Sequence, residues 1–450
     1  MTNSQKFAAS PLKYTHIKGD PLMKPTEIKK ILSNIISTLA NDPCDFLSNP
    51  SKDFSRTRKL SFETVIKMLI GMGGNSLCKE IYDWFDYSRD TASVSAFVQQ
   101  RNKITSKAME YVFREMIKQC DENILFNGYR LLAVDGSDLR LPANKSDTDS
   151  YIRNDEKTKG YNLLHLDAMY DLMQHIYVDA SVQSKKGMNE HKALVSMVDK
   201  SEITQKVIVI ADRGYESFNN MAHFQEKNWN YIIRSKESYG IKYTTPDSEE
   251  FDMETTITLT RRKTKDTMAL IKKDPNRYRW IQPHTTFDYL QPKENKMYDL
   301  KFRIVRFKLS DSAYETIFTN LPKDDFPAQA LKELCKMRWS IETSFKELKY
   351  NVGLASIHSK KQNLIFQEIF AKLIMYNFAA LISYHVKSPK NKRINFAKVI
   401  HFCHQYFKEK LSEKVLLEMI KKFYSPIRPG RSFKRYSNTK NALGFAYRIS

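Results

Sequence analysis

The sequence predicts a mixed α/β fold whose central sheet is interrupted by a β-rich insertion and flanked by helical, basic regions at both ends. Three observations carry this expectation. Between residues 129 and 234, short apolar runs alternate with segments of helical spacing, the pattern of an α/β sheet. A strand-rich stretch with polar, Pro-containing loops breaks that alternation from about residue 235 to 321. Helical periodicity governs the chain before residue 125 and again after residue 327.

With 450 residues the chain can hold two to four domains and a sizeable core. The expected division is 1–125, helical and DNA-binding; 126–234, the first part of the core; 235–321, the β-rich insertion; 322–385, the rest of the core; and 386–450, a basic helical region. A hydrophobic share of 41% with 12% aromatics excludes global disorder. No uncharged apolar run reaches the roughly 18 residues of a membrane span, so no membrane partner is expected. The segment Phe366 to Ser383 carries Glu368 and Lys372 and reads as a buried core helix. The N-terminus lacks the build of a secretory signal, and the five scattered cysteines form no CxxC pair. His401, Cys403 and His404 lack a second ligand pair, so no zinc site is expected there. A cytoplasmic location fits. The net charge of +22 points to a polyanion, and nucleic acid is the default.

In chain order, Glu27 to Ala40 and Ser61 to Ile70 have helical spacing, with Ser61 placed as an N-cap. Further helices follow through Met116. Tyr129 to Val134 reads as a short strand ending at Asp135-Gly136-Ser137. Leu163 to Met173 and His175 to Val182 form a hairpin, and Glu190 to Val198 a helix. Lys206 to Ala211 is a strand ending at Asp212-Arg213-Gly214. Glu216 to Gln225 reads as helix, and Asn230 to Ile233 as strand. Beyond residue 235 the expected strands are Thr255 to Thr260, Met268 to Ile271, Lys301 to Leu309 and Glu315 to Thr319, with no helix among them. Pro327 to Lys349 returns to helix.

Asp135 and Asp212 share one context: each follows a buried strand at the edge where ligands gather in open α/β sheets. An acid there is costly unless exposed, paired or bound to a cation, although one such Asp is also an ordinary turn residue. On the helix of residues 332–350, Cys335, Arg338, Glu342 and Lys349 fall in one stripe beside the apolar Leu334, Met337, Ile341, Phe345 and Leu348. Taken alone this reads first as an ordinary amphipathic helix with an Arg338–Glu342 pair.

The segments VDGSDLRLP (134–142), ADRGYES (211–217) and Cys335-x2-Arg338-x3-Glu342-x6-Lys349 resemble the three motif regions of the IS4-type DDE transposases of bacterial insertion sequences. PIRPGRSFKR (426–435) resembles that family's tail, and the likeness covers roughly residues 129–435. The family carries Tyr where this chain has Cys335, a smaller and weaker donor. The resemblance implies a ribonuclease-H-like core in which Asp135, Asp212 and Glu342 hold two divalent cations, Mg2+ or alternatively Mn2+. It implies that Arg338 and Lys349 grip phosphates of double-stranded DNA, at the terminal inverted repeats. Arg213 and Tyr215 belong to the second motif and are assigned to the DNA side of the site, as is Trp339, which would stack on a displaced base. A homodimer on DNA, cleaving ends and joining them to target DNA, is the implied assembly. The alternative is a catalytically silent regulator that occupies DNA ends.

Overall fold

The computed structural model describes residues 14–16, 23–56, 58–153, 155, 160–236, 241–243, 246, 248–292, 294–310 and 313–427. Most of the tail motif, from residue 428 onward, lies outside them. The first part runs β1 (Tyr14–His16), α1 (Pro25–Asn41), α2 (Phe62–Gly71), α3 (Leu77–Trp84), α4 (Val94–Arg101) and α5 (Ser106–Gln119). Ser61 accepts from the Thr64 N–H at the start of α2, as a capping hydroxyl should. There follow β2 (Ile124–Phe126), β3 (Tyr129–Leu141), β4 (Tyr151–Ile152), β5 (Tyr161–Asp171), β6 (Ile176–Ser184), α6 (Glu190–Lys200), β7 (Lys206–Ala211), α7 (Phe218–Glu226) and β8 (Asn230–Arg234). The strand, hairpin and helix order expected between residues 129 and 234 is therefore present.

The next stretch holds β9 (Phe251–Thr260), α8 (Lys265–Lys273), β10 (Tyr278–Trp280), β11 (Met297–Ser310) and β12 (Ala313–Thr319). Met268 to Ile271, expected as strand, is inside helix α8. The short apolar run is decided by its N-terminus, where Thr264 and Thr267 form a reciprocal capping pair. The chain then continues as α9 (Ala328–Met337), α10 (Trp339–Lys346), α11 (Gln362–Ser383), β13 (Lys392–Ile394), α12 (Phe396–Phe407), α13 (Glu413–Lys422) and β14 (Tyr424–Pro426).

Among the described residues, twelve strands form one sheet. Its centre reads β6-β5-β3-β7-β8, with β3, β7 and β8 parallel and β5 antiparallel to both β3 and β6. The β-rich stretch extends the same sheet through the antiparallel pairing of β12 with β8. Side chains alternate across a strand, so each face carries its own core. Leu131, Ala133, Ile208 and Ile210 pack into a core that also takes in α1, α2, α5 and α11; Leu132, Val134, Val207 and Val209 pack into a second one with α6 and α7. Helix α11 is long and apolar enough to cross a membrane, but 94% of its most apolar 18-residue window is buried inside the protein, as the reading of a core helix requires.

Candidate functional site

β3 runs past Val134, where the sequence predicts its end, through Leu141. Its two neighbours stop at different places. Parallel pairing with β7 ends at Val134↔Ala211, whereas antiparallel pairing with β5 continues from Leu132↔Asp171 to Leu141↔Asn162. Asp135 is thus held inside a strand on one side and open on the other, and Gly136 is a strand residue rather than a turn. Asp212, the residue after β7, stands next in the same register. Strand alternation turns Asp135 toward the face of Leu131 and Ala133, and Asp212, one step on, toward that of Ile208 and Ile210.

Helix α10 lies over that face. Its Ile341 and Phe345 are buried, Phe345 packs on Tyr177 with ring centroids 5.9 Å apart, and Ser344 Oγ lies 2.8 Å from the Tyr177 hydroxyl. This seating brings Glu342 within electrostatic range of Asp135, with Arg338 between the two. Arg338 Nη2 donates to Glu342 Oε1 at 2.9 Å, and its Nη1 lies 3.7 Å from Asp135 Oδ2. The long helix expected over residues 327–349 is in fact two, because it breaks at Arg338, and it ends in a π-helical turn, Glu347–Asn351.

Burial raises the Asp135 pKa to about 6; the Gly136 N–H, 2.9 Å from Oδ1, and Arg338 pull it down, and Glu342 and Asp212 push it up. Three carboxylates of one charge, two of them raising the pKa of the third, form an all-oxygen donor set. That is what a hard divalent cation takes, and the excess negative charge is what it would offset. The residues present therefore fit such an ion.

The basic partners are distributed differently from the expected stripe. Arg338 is only 3% exposed, so its guanidinium serves the carboxylates directly. Lys349 Nζ donates to the backbone carbonyl of Asp138 at 2.8 Å, tying the end of the π turn to β3. Cys335 is half-buried beside Glu315, Arg234 and Arg338, and desolvation pushes its thiol up to about 12. Tyr215, expected on the DNA side, is instead buried in the second core with α6 and α7; Arg213 is exposed, and Trp339 is half exposed with Arg338 5.6 Å from its ring centre.

Sequence reasoning missed Arg234, at the end of β8, which donates to Asp212 Oδ1 at 3.0 Å and also pairs with Glu315. A basic residue closing the strand next to the Asp212 strand was the available signal. It also missed His165, Asp167 and Glu190, on the opposite face of the sheet. His165 and Asp167 sit two apart in β5, a polar alternation inside an apolar run.

Gly136 separates these two groups. A Cβ there would stand 2.2 Å from His165 Nε2. The ring is buried and fixed by Asp138, 2.7 Å from Nδ1, so it cannot swing away without losing that contact. Gly136→Ala is expected to cost about 1–3 kcal/mol, the usual range for overpacking. Urea unfolding measures this, and a midpoint equal to wild type would contradict the contact.

Residues 126–378 match the family model of the transposase DDE domain. Among curated proteins, the chain is similar to the transposase for insertion sequence element IS186A of Escherichia coli (strain K12), and to that for IS421 of Escherichia coli. Each is 27% identical over 193 residues, 39% of this chain and 51% of the relative. The chain thus spans about half the length of the curated relatives it matches. Among solved structures, a piggyBac transposase synaptic complex with hairpin DNA aligns at a TM-score of 0.45 and 12% identity, over 92% of this chain and 88% of that one; likeness at that level carries no inference. With its domain model spanning more than half of the sequence and its relatives drawn from bacterial insertion sequences, the chain belongs to the transposase DDE domain family.

Proposed function

We propose that the chain is a DNA transposase that cuts DNA at the ends of an insertion sequence and joins the freed ends to target DNA. The observation that carries this reading is the convergence of Asp135, Asp212 and Glu342 from β3, the end of β7 and α10 on one face of the sheet. The strand order β6-β5-β3-β7-β8, with its first three strands antiparallel and the last two parallel to β3, supports a ribonuclease-H-like core. In this reading residues 1–125 and 386–450 flank the core, and 235–321 form an insertion before the last acid.

Transposase DDE domains generally use divalent metal ions; here Asp135, Asp212 and Glu342 would hold two, Mg2+ or alternatively Mn2+. When bound, such ions activate a water or a DNA 3′-hydroxyl and offset charge on the leaving oxygen. The chain's own residues set the stage. Arg338 holds Asp135 and Glu342 together against their repulsion, Arg234 orients Asp212, and the backbone N–H of Gly136 fixes the rotamer of Asp135. Lys349, Arg213 and Trp339 complete the DNA side of the site, and the +22 net charge supplies backbone affinity that falls steeply with salt. Joining two ends calls for a homodimer on DNA, in the cytoplasm. The silent-regulator alternative is disfavoured by the intact carboxylates. A strand-transfer assay with pre-cleaved ends and a plasmid target decides among these: joined products support a transposase, nicking alone a nuclease, and binding alone the regulator.

The raised pKa gives a pH dependence. Asp135 binds its proton more tightly folded than unfolded, so this group favours the folded state below its unfolded value, and that contribution is lost as pH rises through about 6. Protons and cations compete for the same oxygens. Stabilisation by added Mg2+ should therefore grow as pH rises from about 5 to about 7. Melting curves with and without Mg2+ test this; a shift that is the same at both ends of the range would contradict it.

A further inference from the structure

On the sheet face opposite the acidic site, His165 Nε2 lies 3.0 Å from Glu190 Oε1 and 3.5 Å from Asp167 Oδ1. One ligand atom from each residue lies within 4.8 Å of the others, which among the described residues singles this trio out as a metal-sized cluster. His165 and Asp167 are 4% and 1% exposed, and outside the trio itself neither Nε2 nor Asp167 Oδ1 finds a hydrogen-bond partner. Buried polar atoms with so few partners are rare in folded proteins.

The surroundings aim these atoms rather than satisfy them. Asp138 Oδ1 lies 2.7 Å from Nδ1, which turns Nε2 toward the two carboxylate oxygens of Asp167 and Glu190. Lys185 holds Asp138 from the other side at 3.2 Å. Gln183 donates to Asp167 Oδ2 at 2.6 Å, so Oδ1 is the oxygen presented to the centre. A carboxylate behind a histidine, and an amide behind a carboxylate, are the outer partners that orient metal ligands. Gly136 leaves the space that any side chain would fill.

We propose that His165, Asp167 and Glu190 bind a borderline transition cation of the zinc class, in a site separate from the three carboxylates across the sheet. One imidazole and two carboxylates suit such an ion, and leave a position for water. It would clamp the start of α6 to β5 directly behind Gly136, and so fix the strand that carries Asp135. Asp138, Asp167 and Glu190, the carboxylates that face His165, would trap a proton there and equally attract a cation, so a proton is the competing occupant.

The test uses the full chain carrying Asp135→Asn, Asp212→Asn and Glu342→Gln, so that the outcome does not depend on the proposed cleavage site. After removal of metal with a chelator, equilibrium dialysis against Zn2+ should find about one tight equivalent, and Co2+ in its place should give visible d–d absorption. Adding His165→Gln or Glu190→Gln should weaken that equivalent by at least about tenfold. Glu190, half-buried at a helix start, keeps the test usable if the histidine variant fails to fold. Absence of a tight equivalent from the triple variant, or its survival in E190Q, would overturn the site and leave the proton as its occupant.

Discussion

Asp135→Asn, Asp212→Asn and Glu342→Gln are each expected to abolish cleavage of an insertion-sequence end, while binding to that end stays close to wild type. The substitutions are near-isosteric and remove only the charge that would hold a cation. Partners one shell away from a metal typically cost about 10–100-fold, so the loss at each of these positions should exceed about 100-fold. Single-turnover cleavage and gel-shift binding, run on the same preparations, separate the two effects. Any one of the variants cutting at a near wild-type rate would remove that residue from the site. Binding lost in parallel with cleavage would instead mean that the carboxylates shape the DNA surface.

The second large effect concerns the scaffold. Arg101, near the end of α4, and Glu368, in α11, are 2% and 3% exposed and pair at 3.0 Å; Arg101 also donates to Gln367 at 3.0 Å and to the Leu364 carbonyl. Arg101→Ala leaves the Glu368 charge buried with His358 as its main remaining partner, 2.9 Å away. Breaking one side of a buried pair costs about 3–5 kcal/mol. The acid limb of the stability curve should change as well. Burial raises the Glu368 pKa, but Arg101 and then His358 hold it at about 2, below its ordinary 4.5. A depressed carboxylate stabilises the fold above its unfolded pKa, and that contribution is lost as pH falls from 4.5 toward 2. Urea midpoints across this window measure both effects. A variant with wild-type stability and an unchanged acid limb would show that the pair contributes nothing.

How much of this was legible in the sequence followed from burial. Strands β5, β7 and β8 lie between two helical layers, so they read as apolar runs, and their bounds were found within a few residues. The far half of β3 was missed because DGSDLR looks like a turn; its polar residues are there because both faces of the strand carry a polar cluster. Met268 to Ile271 is an apolar run too short for periodicity to assign, and only the Thr264 cap decides it. The stripe from Cys335 to Lys349 was correct in bringing Arg338 to Glu342. It could not reveal that Arg338 is buried, since that depends on β3 lying beneath it. Arg234, Lys349's hold on Asp138 and the His165 cluster depend on which strands become neighbours, and a single chain read residue by residue does not contain that.

The central claim is that Asp135, Asp212 and Glu342 together hold divalent cations. Anomalous scattering from crystals of the protein soaked in Mn2+ tests it most directly. The account predicts ordered Mn2+ ligated by oxygens of all three residues, and its loss in Asp212→Asn. Full occupancy of Mn2+ elsewhere in the protein, with none among these three carboxylates, would contradict it.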